Sequence, residues 1–156
     1  MSDATKSSKW NDFDTVADRL NAPELVDKYI NTNIVFNLYP GSDKQSPKET
    51  FNRKRGSCTS LAVFGKYMLD RAGYQTRIRS VNFSKNLKNI LGHSGLVIIT
   101  ENRYILAVDF RPTKSGRKDF NTMSGPYMDI SHVDDQLASD FKKITRSYWG
   151  IPDYLR

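Results

Sequence analysis

"RKRGSCTSLAVFGKYMLDRAG", residues Arg53–Gly73, holds the only cysteine of the chain, Cys58. Small residues surround the thiol, and an apolar pattern of helical period begins directly after it. Leu61, Phe64, Met68 and Ala72, with Gly65 and Leu69, fall on one face, and Gly73 supplies the stop. Cys58 is therefore expected in, or just before, the first turn of a long helix. A thiol in that place is either a small buried filler or a nucleophile, and the rest of the chain has to decide between them.

Upstream, "SPKETFNRK" (46–54) carries a helix start: Ser46 and Glu49 match the S-x-x-E capping box, with Pro47 at the first helical position. Before it, "NIVFNLYPGSDKQ" (33–45) reads as a short extended piece broken at Pro40-Gly41. "NAPELVDKYINT" (21–32) reads as a helix, with Asn21 as N-cap, Pro23 in the first turn and Glu24 three residues after the cap. Residues 1–12 read as a flexible lead-in, and residues 13–156 as a single domain.

Downstream the period changes. "YQTRIRSVNF" (74–83) alternates and is rich in β-formers, a strand anchored by Ile78 and Val81 and interrupted by "SKNLKN" (84–89). "GHSGLVIITENRYILAVDF" (92–110) reads as two strands joined by a tight turn at Glu101-Asn102. "RPTKSGRKDFNTMSGPYMD" (111–129) reads as a long polar connection. A last helix is expected over "SHVDDQLASDFKKITRSYW" (131–149), opening on Ser131 with Asp134 three residues later. The expected fold is α+β, with the cysteine at the N-terminus of a central helix packed on an antiparallel sheet.

Composition sets the outer bounds. The 156 residues are 38% hydrophobic and 26% charged, which suits one domain with one core. No apolar run approaches a membrane span, and "MSDATKSSKWNDFDT" (1–15) has no signal-peptide pattern, so a soluble cytoplasmic protein is expected, with signal-independent export also compatible. A lone cysteine forms no internal disulfide and no cysteine-rich zinc site, and neither metal nor cofactor is called for. The net charge of +7 is scattered over "RKR" (53–55), "RIR" (77–79), "KSGRK" (114–118) and "KK" (142–143). No zinc-finger, P-loop or RNA-recognition pattern accompanies it, which argues against a dedicated nucleic-acid protein.

A thiol attacks carbonyls as its thiolate, and a helix N-terminus and a neighbouring imidazolium both favour that form. The helix start supplies the first. Gly56 would let the backbone turn and a substrate approach, and the backbone N–H of Cys58 would help hold an oxyanion. Of two histidines, His132 lies near the start of the last helix. His93 opens an apolar strand, and the neighbouring strand ends in Asp109. Singly, each has an ordinary structural reading: core cysteine, structural histidine, strand-end aspartate. Together they stand as Cys, then strand His, then Asp across a hairpin.

The hairpin imposes a condition. A two-residue Glu101-Asn102 turn pairs Thr100 with Arg103 and puts His93 and Asp109 on opposite faces. The two share a face only if the loop is three residues long or a bulge intervenes.

The set from "SPKETFNRKRGSCTSLAVFGKYMLDRAGYQTRIRSV" to "GHSGLVIITENRYILAVDF" resembles the transglutaminase-like superfamily, closest to the bacterial transglutaminase-like cysteine proteinases. The resemblance spans roughly residues 24–110. It implies a papain-like α+β fold, Cys58 as nucleophile, His93 as general base and acid, and Asp109 orienting His93. Relatives with a G-D-C-E-D pattern carry acidic residues where this chain has Ser57, Thr59 and Ser60, and Gly95 stands where an aromatic is common. The expected activity is a cysteine hydrolase or acyltransferase acting on amide bonds of a peptide or protein: protease, amidase, glutamine deamidase or transglutaminase. Asn37, Tyr39, Gln45 and Ser57 are candidates for oxyanion or substrate binding. A basic rim of Arg53, Lys54, Arg55, Arg77 and Arg79 favours an acidic substrate or partner. Two rival readings are a non-catalytic binding module on the same fold and a basic nucleic-acid binder.

Overall fold

The computed structural model describes residues 12–36, 41–86, 89–111, 120–138 and 144–152. In chain order these form α1 (Phe13–Arg19), α2 (Pro23–Asn33), β1 (Val35–Phe36), a 3-10 turn (Ser42–Lys44), α3 (Pro47–Arg53), β2 (Arg55–Gly56) and α4 (Cys58–Arg71). Then follow β3 (Thr76–Asn86), β4 (Asn89–Thr100), β5 (Arg103–Val108), β6 (Phe110–Arg111), β7 (Phe120–Asn121), β8 (Ser124–Tyr127), α5 (Ile130–Leu137) and β9 (Ile144–Trp149). The fold is α+β. Its centre is a five-stranded antiparallel sheet in the order β8-β5-β4-β3-β9, flanked by the small pairs β1-β2 and β6-β7.

The helices pack where their apolar spacing sends them. Leu61, Phe64, Met68 and Leu69 of α4 are fully buried against Ile78, Leu96, Ile98 and Val108, with Val16, Ile30 and Phe51 closing the layer. Each such side chain contributes about 1.5–3 kcal/mol by leaving water. Gly65 sets the helix–sheet distance, because a Cβ there would lie 2.6 Å from Val108 Cγ2. The alternate strand residues Val81, Val97 and Leu106 face the other way and are covered by Val133 and Leu137 of α5. Arg79 fastens α5 to this second face through two hydrogen bonds to Asp134, 2.7 and 2.8 Å long. Trp149 stacks on the guanidinium, 4.8 Å from ring centroid to Cζ.

The end of the chain corrects the sequence reading. The last helix stops at Leu137, and Ile144–Trp149, expected as its continuation, forms edge strand β9 instead. "ITRSYW" is rich in β-branched and aromatic residues, which favour a strand, and the free edge of β3 pairs with it. Asp129, not Ser131, caps α5, its carboxylate accepting the Ser131 N–H at 2.9 Å. Among the described residues the connection 111–129 contains two short strands, β7 and β8, and the end of β6, and β3 runs on to Asn86 into the stretch read as an interruption. Ala22 rather than Asn21 is the N-cap of α2, and α1 forms where no helix was expected. The Ser46–Glu49 capping box and the Gly73 stop, at φ 96°, are present. Among the described residues no helix is long and apolar enough to cross a membrane.

Candidate active site

Cys58 is the first residue of α4. A second capping box fixes it there: the Ser57 hydroxyl accepts the Ser60 N–H at 3.3 Å, and the Ser60 hydroxyl accepts the Ser57 N–H at 2.8 Å. Such a cap contributes about 1 kcal/mol and holds the thiol at the positive end of the helix dipole. The Cys58 N–H has no acceptor within the helix at this position. Gly56 is buried, and a Cβ there would sit 2.3 Å from Ser60 Oγ and 2.7 Å from Leu61 Cδ2. Its small size thus serves the packing beneath the cap.

His93 and Asp109 meet. The His93 Nε2 lies 2.6 Å from Asp109 Oδ1, with the two side chains 9% and 2% exposed. The two-residue turn is indeed present, pairing Thr100 with Arg103, and taken alone it would separate them. A bulge reverses that outcome. Val97 pairs with Leu106 but Leu96 pairs with Val108, so Ala107 is the extra residue and everything beyond it changes face. Gly95, opposite Asp109 in the shifted register, has no room for a side chain. A Cβ would lie 2.7 Å from Val108 O and 2.8 Å from Leu137 Cδ2, which accounts for the absence of an aromatic at this position.

Since Nε2 faces Asp109, Nδ1 is the nitrogen left for Cys58. Burial pushes the thiol up, but the His93 charge, a hydrogen bond from His93 and the backbone N–H of Ser94 outweigh it and bring Cys58 below its ordinary value. Asp43, on the 3-10 turn, opposes them. Burial likewise pushes His93 down, while the Cys58 thiolate and the Asp109 carboxylate raise it to about 9. Both directions favour a thiolate–imidazolium pair.

Arg111 and Asn121 complete the surroundings of Asp109. Arg111 donates to the same Oδ1 from Nη2 at 2.7 Å and Nε at 3.2 Å, and Nη2 also reaches the Gln136 and Leu137 carbonyls at the end of α5. Asn121 accepts the Asp109 N–H at 2.7 Å. The D-F-R spacing carried a readable sign of Arg111, two residues along a strand and so on the same face as Asp109. Asn121 and the Ser94 N–H left no local signal, since both are set by pairings distant in sequence.

The remaining expected site residues part company. Ser57 is fully buried and its hydroxyl belongs to the cap, so it supports Cys58 instead of touching a substrate. Gln45 is buried, and its amide donates to Thr50 Oγ1 at 3.1 Å and Arg55 O at 2.9 Å, leaving no N–H for an oxyanion. Asn37 and Tyr39 lie outside the described residues. His132 is exposed on α5 beside Tyr127. The basic rim is broken up as well. Arg79 is buried against Asp134, Lys54 donates to Tyr29 Oη at 2.8 Å over the Phe51 ring, and Arg77 lies on Trp149. Among the described residues no group of three His, Cys, Asp or Glu side chains is placed to hold a metal ion. No family model matches the chain, and no curated protein matches it.

Proposed function

We propose that the protein is a cysteine hydrolase or acyltransferase acting on amide bonds of peptides or proteins, with a papain-like, transglutaminase-like core. The observation that carries this reading is the His93–Asp109 contact at 2.6 Å, which leaves the other ring nitrogen to a thiol at a helix N-terminus.

In this reading the Cys58 thiolate attacks the amide carbonyl, and the oxyanion that develops faces the positive end of α4 and the Cys58 N–H. His93, as imidazolium, gives its proton to the amide nitrogen. The C–N bond breaks, the amine leaves, and a thioester remains on Cys58. His93, now neutral, takes a proton from water, whose oxygen attacks the thioester and releases the acid and the thiolate. A primary amine in place of water gives a new amide. Asp109 holds the ring in the tautomer that keeps Nδ1 toward sulfur and stabilises the imidazolium between steps.

The test is the pH dependence of alkylation by iodoacetamide. The wild-type thiol is expected to react well below pH 8, and His93→Ala to lose that reactivity. A wild-type thiol that titrates near the free value of about 8.5, with His93→Ala unchanged, would sink the mechanism. Ammonia release from casein, with and without an added primary amine, then separates deamidation from acyl transfer, and new peptide termini report proteolysis.

A further inference from the structure

The bulge that turns Asp109 toward His93 takes Ala107 and Asp109 out of the strand register, so their backbone polar groups need partners elsewhere. One side chain serves both. Asn121 Nδ2 donates to Ala107 O at 3.2 Å, and Asn121 Oδ1 accepts the Asp109 N–H at 2.7 Å. The amide thus stands in for a missing strand neighbour on either side of the bulge.

Asn121 is itself gripped from α2. Its Nδ2 also donates to Asp27 Oδ1 at 2.7 Å, its N–H donates to Asn31 Oδ1 at 2.6 Å, and its carbonyl accepts from Asn31 Nδ2 at 3.0 Å. It is 3% exposed, on β7 opposite Phe110. Few side chains could replace it. The position needs a donor and an acceptor at one fixed reach, and a carboxylate would set two acceptors against the Ala107 carbonyl and Asp27.

We propose, on the premise of the thiol chemistry above, that Asn121 is the positioning residue of this site. It touches neither sulfur nor substrate. It acts through the backbone of residues 107–109, holding the bulge in the one form that presents the Asp109 carboxylate to the His93 ring. Without it the carboxylate loses its aim, His93 loses its partner, and the thiolate–imidazolium pair is less favoured.

Iodoacetamide alkylation against pH, with thermal melting alongside, tests this on the full chain as wild type, Asn121→Ala, Asp109→Asn and the double variant. The alkylation midpoint is expected to rise in Asn121→Ala by about one pH unit, as in Asp109→Asn, because both withdraw the same carboxylate from the ring. The double variant is expected to rise no further than Asp109→Asn alone, a non-additivity that general loosening of the fold does not produce. A folded Asn121→Ala with the wild-type midpoint overturns the role, and so does a double variant whose shift is the sum of the two. A wild-type midpoint at the free-thiol value overturns the thiol chemistry itself, and this role with it. Should Asn121→Ala fail to fold, Asp27→Ala removes only the α2 carboxylate that orients the amide. A smaller upward shift is then expected, and an unmoved midpoint overturns the proposal.

Discussion

Arg79 meets Asp134 through two parallel hydrogen bonds, Nε to Oδ1 and Nη2 to Oδ2, with each side chain 10% exposed. Arg111 meets Asp109 through a single oxygen, which His93 approaches as well. Both are arginine–aspartate pairs that meet α5, the first from β3 and the second from β6 and the residue just before it. In the first, a guanidinium and a carboxylate match atom for atom, and the product is an anchor that binds α5 to the strands. In the second, one carboxylate oxygen is shared by a guanidinium and an imidazole ring. Pairing is common to both; a histidine partner belongs to one. That partner, not the ion pair, distinguishes a place where chemistry can occur from a place that only holds.

The comparison breaks first at sulfur. Cys58→Ala is expected to abolish turnover and leave the melting temperature close to wild type, measured by activity assay and calorimetry. A variant that keeps turnover ends the thiol mechanism. Asp109→Asn comes next, with a fall in kcat/KM of about two to four orders of magnitude at neutral pH and a raised alkylation midpoint. Its counterpart, Asp134→Ala, leaves Arg79 buried without its partner and is expected to cost about 3–5 kcal/mol of stability in a denaturant titration while the alkylation midpoint stays put. If Asp134→Ala moves the midpoint as Asp109→Asn does, the two pairs are not different in kind.

A pH profile sharpens the same contrast. The thiolate–imidazolium pair exists above the lowered thiol value of Cys58 and below the raised value of His93. Activity should therefore persist into mildly acid solution and decline as pH passes about 9, where His93 loses the proton the leaving amine needs. A decline already complete near 6.5, the ordinary histidine value, contradicts the coupling. His132→Ala carries the smallest expectation, a rate within about twofold of wild type, since the ring is exposed on α5 beside Tyr127.

The local parts of this molecule were legible in the sequence. The capping box at Ser46, the helix from Cys58 to Arg71 and its glycine stop are written in residues within a few positions of one another. So is the Thr100–Arg103 turn. What escaped depends on contacts between distant segments. "ITRSYW" follows a helix without a proline or glycine to stop it, and only the open edge of β3 makes it a strand. The bulge at Ala107 is one of two ways the sequence leaves for His93 and Asp109 to share a face, and its place is not legible there, because the residues that stabilise it, Asn121 and Asp27, lie 14 and 80 positions away in the chain. Arg79 read as a surface cation because its partner Asp134 sits on an element 55 residues later.

The extra residue in β5 also has a bearing on how such a site is inherited. A strand repeats every two residues, so point substitutions alter which side chain a face carries, but not which positions belong to it. Ala107 changes the positions. Losing that one codon would return Asp109 to the face away from His93, with the letters Cys, His and Asp still in their order. It would also send Phe110, now fully buried with its ring 5.6 Å from that of Phe36, out of the core. One phase governs both the core and the candidate site, so a deletion here is purged for stability whatever becomes of activity. In comparing such chains, the telling feature is the length of the segment between turn and aspartate, a gap in a column and not a change of letter.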